Sequence, residues 1–80
     1  MNKQEFVKLM SSTGMRTQKV REDTLLFATA EDVMLVFTET PDVIYVTGWK
    51  REGYFSRSYH EWGSVWDDLP TLLISAHDIA

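Results

Sequence analysis

Apolar residues recur at helical spacing near both ends of this chain and form short runs between them. Over residues 2–13 they are three or four positions apart, which places them on one face of an α-helix. This stripe consists of Phe6, Leu9, Met10 and Thr13. Asn2 and Glu5 have the spacing of a capping box, and Gly14 is suited to the left-handed conformation that ends many helices. The pattern predicts a helix over residues 2–13.

The middle of the chain predicts β-strands. Residues 24–29 and 33–38 are apolar, contain many strand-forming residues and are too short for independent helices. Residues 43–49 and 54–60 have the same character, and polar turn segments separate the runs. Residues 15–22 alternate only weakly, so they fit either an edge strand with three basic side chains or a loop.

The C-terminal segment predicts a helix that proline interrupts. Its apolar residues are alternately four and three positions apart: Trp62, Trp66, Leu69, Leu73, Ala76 and Ala80. Inside a continuous helix, Pro70 would remove a backbone hydrogen bond and clash with the preceding turn, at a cost of about 3 kcal/mol. We therefore expect one helical turn near residues 64–68 and a helix over 69–78. Pro70 would lie in the first turn of that helix, with Asp67 or Asp68 as its N-cap.

Together these elements predict one small α+β domain over residues 1–80, in the order α-β-β-β-β-α. Its core would be an antiparallel meander of three to four strands. Each helix has one apolar stripe to bury, so both helices should pack on the same face of the sheet. The other face is then open. If Ile44 and Val46 point toward the helices, strand parity places Tyr45 and Trp49 on the open face.

Composition excludes several classes of function. The net charge is −4 and the sequence pI is about 4.9, which disfavours strong binding to duplex DNA. There is no cysteine, no apolar run near the ~20 residues that span a bilayer, and no signal-peptide pattern. We expect a complete cytoplasmic protein that does not enter a membrane and binds no metal or cofactor.

The chain lacks a recognisable catalytic motif. Its two histidines, His60 and His77, each precede a carboxylate residue. Adjacent residues diverge on a strand and on a helix, so neither dipeptide is a preformed acid–base pair. The sequence therefore predicts a protein that is not an enzyme.

Aromatic side chains are concentrated in one part of the sequence, because seven of the ten lie between Tyr45 and Trp66. We expect Trp62 and Trp66 to belong to the core. Trp49 and Tyr54 should flank a hairpin tip in which Gly53 is available for a positive φ. The predicted binding residues are Tyr45, Trp49, Lys50, Arg51, Tyr54 and Arg57.

A second candidate surface is acidic. Residues 58–80 contain four acidic residues and no Lys or Arg. This segment is either a solvated helix face or a surface for a basic partner, and Asp67 and Asp68 are its candidate binding residues.

Two functional interpretations compete. Exposed Tyr, Trp and Arg are enriched at protein–protein hot spots, which predicts a non-enzymatic domain that binds a larger, unidentified protein stoichiometrically. The alternative is a single-stranded nucleic-acid module in which the aromatic side chains of the 49–57 hairpin stack on bases beside its basic residues. The small number of local basic residues makes nucleic acid the weaker choice. A third alternative is a homodimer, formed through an exposed strand edge or the aromatic face.

In size, acidity, absence of cysteine and lack of catalytic motif, the chain resembles the small accessory proteins of bacteria and their phages. Many of those proteins bind and block an enzyme or mimic acidic nucleic acid. The resemblance is a likeness of general character and assigns no residue a role. A variant of the protein-binding interpretation is an inhibitor of a nucleic-acid-binding enzyme, with Asp67, Asp68 and nearby carboxylates standing in for phosphates.

Overall fold

A computed structural model describes residues 1–29 and 31–79. Helix α1 covers Lys3–Ser12 and helix α2 covers Trp62–His77. Between them lie five strands: β1 (Gln18–Arg21), β2 (Thr24–Ala28), β3 (Val33–Glu39), β4 (Ile44–Lys50) and β5 (Gly53–Tyr59). The predicted α+β class and the order of its elements are confirmed. The sheet has five strands rather than three to four, because the weakly alternating segment before β2 does form a strand.

The strands form an antiparallel meander in the order β1-β2-β3-β4-β5. Pairing is regular from β2 through β5, and the β1–β2 register shifts between Lys19 and Arg21. Because neighbouring strands stay in register, the paired residues of successive strands form rows across the sheet. Each row lies on one side of the sheet.

The first helix begins as its sequence predicts. The Asn2 side chain accepts a hydrogen bond from the Glu5 backbone N–H at 2.9 Å, and the Glu5 carboxylate accepts one from the Asn2 N–H at 3.2 Å. Gly14 follows the helix with a φ of 83°. This conformation is easily reached by glycine, so the chain can turn toward β1 at this point.

Both helices cover the same face of the sheet, as predicted. Phe6 of α1 packs against both the sheet and α2. Its ring centroid lies 5.2 Å from that of Phe37 on β3 and 4.9 Å from that of Trp62 on α2. Trp62 is buried, as expected, and Trp66 packs half-buried against the core. The buried cluster consists of Phe6, Met10, Leu25, Val33, Leu35, Phe37, Ile44, Val46, Trp62, Val65, Leu69, Leu72 and Ala76.

The predicted break in the C-terminal helix is wrong. α2 is one helix of 16 residues with Pro70 inside it, and its N-cap is Glu61 rather than Asp67 or Asp68. The missing backbone hydrogen bond costs about 3 kcal/mol. A continuous helix keeps Val65 and Leu72 on one buried stripe, and full burial of one such side chain contributes about 1.5–3 kcal/mol. Ala80, assigned to this stripe from the sequence, lies outside the described residues.

The β4–β5 hairpin also differs from expectation at its tip. Lys50 pairs with Gly53, which leaves Arg51 and Glu52 as a two-residue loop. Arg51 adopts the positive φ of 57° that we expected of Gly53. The register decides this, because tight hairpin loops require the positive φ inside the loop rather than at the first residue of the returning strand.

Candidate functional site

The side of the sheet opposite the helices is uncharged across four strands. We call this surface the open face and define it by three positions on each of β2–β5. Its residues are Thr24, Leu26, Ala28, Met34, Val36, Thr38, Tyr45, Thr47, Trp49, Tyr54, Ser56 and Ser58. A quarter of the residues in the whole chain are charged, so an even distribution would place about three charges here. The charged side chains of β3–β5 instead lie on the other side of the sheet, and Arg21 of β1, the partner of Thr24, borders this surface.

An aromatic row crosses one end of the open face. Met34, Trp49 and Tyr54 are consecutive partners on β3, β4 and β5. The rings of Trp49 and Tyr54 are stacked with centroids 4.8 Å apart and planes tilted by 31°. Tyr54 is 64% exposed and Met34 is 37% exposed. The row is therefore a preformed apolar platform that a partner could cover without reordering the rings.

Tyr45 lies at the other end of the open face. It is 46% exposed and stands between Thr38 and Ser58 in the register. Tyr45 is four positions from Trp49 along β4, which corresponds to about 13 Å of strand. Thr47 lies between these two aromatic side chains. The structure thus places Tyr45, Trp49 and Tyr54 on one surface, as strand parity predicted for Tyr45 and Trp49.

The predicted basic residues do not join this surface. Lys50 has the parity of the buried β4 residues, and its Nζ donates a hydrogen bond to the backbone oxygen of His77 at 2.6 Å. Arg57 also lies on the helix side, with its guanidinium 5.0 Å from the centre of the Phe55 ring. Arg51 is exposed at the hairpin tip. The hairpin therefore separates its aromatic platform from its cations.

The two adjacent aspartates have different surroundings. The Asp68 carboxylate accepts a hydrogen bond from the Tyr59 hydroxyl, which ties α2 to β5. Burial, together with this hydrogen bond to Asp68, raises the pKa of Tyr59. Asp67 is exposed at a groove of about 460 Å³ between the end of α1 and α2, lined by Thr13, Met15, Trp66, Asp67, Leu69, Pro70 and Leu73. Only Asp67 of this pair is a free candidate for an external cation.

Two residues with clear roles were missed by the sequence analysis. Met34 completes the aromatic row, and strand parity combined with the β3–β4 register identifies it. Glu39 accepts a hydrogen bond from the Trp62 indole N–H at 2.6 Å and lies 3.6 Å from Lys3 Nζ. Glu39 is two residues from the buried Phe37 on β3, so the alternation of the strand places both side chains on the helix side. This alternation could have identified Glu39 from the sequence.

The histidines do not form a common site. His60 lies two residues before α2 and His77 is the last residue of α2, so about 24 Å of helix separates them. The Nε2 atom of His77 lies 3.2 Å from a carboxylate oxygen of Glu31. Across residues 1–29 and 31–79, no group of three or more His, Asp or Glu side chains is arranged to hold a metal ion. In the same part of the chain, no helix has the length and apolarity needed to span a bilayer.

Comparison of the chain with protein families, with curated proteins and with solved structures gave no match. A functional assignment must therefore come from the geometry of the protein itself.

Proposed function

We propose that this protein is a non-enzymatic interaction domain that binds a larger protein through its open face. The single observation that carries the proposal is an uncharged surface, four strands wide, with a stacked aromatic row at one end and Tyr45 at the other. Protein interfaces are depleted of charge at their centres and enriched in Tyr, Trp and Met. Their strongest contacts are commonly Trp and Tyr.

The exposed apolar side chains concentrate on this surface. The large hydrophobic side chains that are exposed in the described part of the chain are Met1, Val20, Met34, Tyr45, Tyr54 and Ile74. Three of the six, Met34, Tyr45 and Tyr54, belong to the open face. Scattered apolar residues need no explanation, but exposed apolar side chains gathered on one uncharged surface are typical of a binding surface.

The separation of aromatic from basic side chains supports protein as the ligand rather than single-stranded nucleic acid. Stacking of bases on Trp49 and Tyr54 would bring phosphates along the same face, and phosphates require nearby Lys or Arg. None of the twelve residues of the open face is basic. Quenching of tryptophan fluorescence by short oligonucleotides at low salt would favour the nucleic-acid alternative.

We propose in addition that the protein acts as an inhibitor of its partner and is located in the cytoplasm. Asp67 and Asp78 are exposed and 11 residues apart, which places them on nearly the same side of α2. They form an acidic strip that remains a second candidate surface. Binding through this strip would be electrostatic and would weaken as salt rises from low to physiological concentration. Binding through the open face should change little over that range.

The test is affinity capture with wild type and matched variants, followed by quantification of every captured protein. Trp49→Ala and Tyr45→Ala remove apolar area from the open face. Ile74→Ala removes it from an α2 side chain that is 62% exposed and does not belong to the open face. We expect the open-face variants to reduce recovery of a specific partner at least about tenfold, the loss typical of a hot spot. Ile74→Ala should leave recovery unchanged.

Circular dichroism and unfolding curves of each variant exclude loss of fold as the cause. Asp67→Asn tests whether the partner binds through the acidic strip instead. If Asp67→Asn lowers recovery while Trp49→Ala and Tyr45→Ala retain wild-type recovery, the open face is not the binding surface.

A further inference from the structure

The two edges of the sheet are protected very differently. β1 has four residues, a register shift, and basic side chains at Lys19 and Arg21. Short length, irregularity and Lys or Arg residues are the usual means by which edge strands avoid pairing with another chain. β5 has seven residues paired with β4 in unbroken register, no proline, and Arg57 as its single charge. Apart from the charge of Arg57, the β5 edge therefore lacks these protections.

The backbone groups of β5 that face away from β4 can be assigned from the hairpin. A two-residue loop closes on a hydrogen-bonded pair, here Lys50 and Gly53. Backbone groups in an antiparallel strand then alternate between the two sides. Tyr54, Ser56 and Ser58 consequently direct their N–H and C=O groups away from β4. The Ser56 C=O accepts a hydrogen bond from the Arg57 guanidinium at 3.0 Å, which leaves its second lone pair for another donor. Within the described part of the chain no strand pairs with β5 on that side.

We propose that a second copy of this chain pairs with β5 antiparallel, with the twofold axis at Ser56, to form a continuous ten-stranded sheet. This inference concerns the edge of the sheet and is independent of the function proposed for the open face. The two copies would place their open faces side by side on one surface.

The hydrogen-bonding pattern favours an axis at Ser56. In this register Ser56 pairs with Ser56 of the second copy, and Tyr54 pairs with Ser58 of the second copy. All three outward-facing residues of each strand then exchange backbone hydrogen bonds. An axis at Phe55 or Arg57 would pair fewer of them, because one outward-facing residue would then lie opposite Glu52 or His60, outside β5.

Charge and side-chain shape favour the same register. An axis at Arg57 would set two guanidinium groups directly opposite each other, whereas an axis at Ser56 sets Arg57 opposite Phe55 of the second copy. Arg57 already lies over the Phe55 ring within its own strand, so this contact repeats a cation–π arrangement found in the monomer. Gly53 would face Tyr59 of the second copy, a glycine–aromatic pairing of the kind that Gly48 and Phe55 make across β4 and β5.

The test uses two substitutions that add the same charge at different distances from the axis. Ser56→Lys places ammonium groups on directly opposite residues, whose Cα atoms lie about 5.5 Å apart in a hydrogen-bonded pair. In Ser58→Lys, the new residues are offset by four positions, or about 13 Å of strand, where salt screens them. Both serines are exposed, so both variants should fold.

Sedimentation of the full chain over a range of concentrations reports the mass. We expect wild type to approach twice its 9.3 kDa monomer mass as concentration rises. The dimer dissociation constant should rise at least about tenfold in Ser56→Lys and change less than about threefold in Ser58→Lys. Trp49→Ala, which alters the open face but not the edge, should dimerise as wild type does.

Three results would overturn the proposal. Wild type could remain at monomer mass at all concentrations. Both lysine variants could weaken the dimer equally. Trp49→Ala could abolish the dimer while Ser56→Lys keeps it, which would show that the copies pack through their open faces.

Discussion

The ring of Phe55 lies against the backbone of Gly48, its partner across β4 and β5. A Cβ atom at position 48 would lie 2.6 Å from the Cζ atom of Phe55, well inside van der Waals contact. An aromatic ring placed over a cross-strand glycine covers the backbone that glycine would otherwise leave bare. Arg57 lies over the same ring. This stack covers the helix side of the hairpin beside the core.

Gly48→Ala should destabilise the protein by about 1–3 kcal/mol, because the added methyl group must displace the Phe55 ring. Urea unfolding measures the change in the free energy of unfolding. In a Phe55→Ala background the methyl group meets no ring, so the same substitution should cost at least about 0.5 kcal/mol less. An equal cost in both backgrounds would mean that the ring is not what excludes a side chain at position 48.

Arg51→Gly should stabilise the protein by about 0.5–1 kcal/mol. Arg51 has a φ of 57°, a conformation that costs an L-residue roughly 1–2 kcal/mol and costs glycine almost nothing. The extra freedom of glycine in the unfolded chain offsets part of this gain. Thermal unfolding with Glu52→Gly as the matched control checks the prediction, since Glu52 has no positive φ and should lose stability. A loss of stability in Arg51→Gly would contradict it.

Local patterns were sufficient to predict most of the elements and the open face. The Asn2–Glu5 capping box, the strand runs and the parity of Tyr45 and Trp49 all depend on residues close in sequence. The same parity also separates Lys50 from Trp49, because Lys50 shares the side of Ile44 and Val46. Trp49 and Lys50 are adjacent in sequence, but adjacent residues of a strand point to opposite faces, so closeness in sequence does not place them on one binding surface.

Other features required the tertiary structure. The cost of Pro70 inside a helix is a local quantity, but the apolar stripe that offsets it gains its value only when α2 packs on the sheet. The acceptor of Lys50 is a backbone oxygen at the far end of α2, 27 residues away. Arg51 took the positive φ because the β4–β5 register fixed the loop. Propensity favoured a glycine two positions later.

Glu39→Ala should destabilise the protein by about 1–3 kcal/mol, the cost of leaving a buried donor without an acceptor. The donor is the indole N–H of Trp62, a residue that is only 3% exposed. Glu39→Gln keeps an acceptor oxygen and should cost clearly less. Lys3→Ala should change stability by about 1 kcal/mol at most, because the Lys3–Glu39 pair and the hydrogen bond from Lys3 Nζ to the Glu22 backbone oxygen are both open to solvent. Chemical unfolding of the three variants distinguishes the hydrogen bond from the ion pair.

If Glu39→Gln lost as much stability as Glu39→Ala, the negative charge rather than the hydrogen bond would be the stabilising feature.

Stability should fall at alkaline pH in a way that depends on Tyr59. Burial and the hydrogen bond to Asp68 raise its pKa above the ordinary value of 10.0. The unfolded chain therefore releases this proton at a pH where the folded protein still holds it. The contribution of Tyr59 is complete below about pH 10 and declines as the pH rises further. One proton changes the free energy of unfolding by at most about 1.4 kcal/mol per pH unit.

Tyr59→Phe removes the titrating hydroxyl, so its stability should change less than that of wild type between about pH 9 and pH 11. Urea unfolding at several pH values measures the difference. Tyr45→Phe, an equivalent change on the open face, should keep the wild-type dependence. Identical pH dependence in wild type and Tyr59→Phe would show that the proton on Tyr59 is not linked to folding.

Pro70→Ala should stabilise the protein by about 2–2.6 kcal/mol. Proline at this position cannot donate a hydrogen bond to the Trp66 carbonyl and crowds it, at a cost of about 3 kcal/mol in a helix interior. Proline also restricts the conformations of the unfolded chain, which stabilises the folded protein by about 0.4–1 kcal/mol. Alanine loses this contribution. The Pro70 side chain is exposed, so the substitution opens no cavity in the core.

Thr71→Ala, at the next exposed position of α2, is the matched control and should gain no more than about 0.7 kcal/mol from helix propensity. Thermal and urea unfolding of both variants compare the two effects. A gain in Pro70→Ala no larger than that in Thr71→Ala would mean that α2 accommodates proline without strain. The burial of its stripe would then not have to offset any penalty.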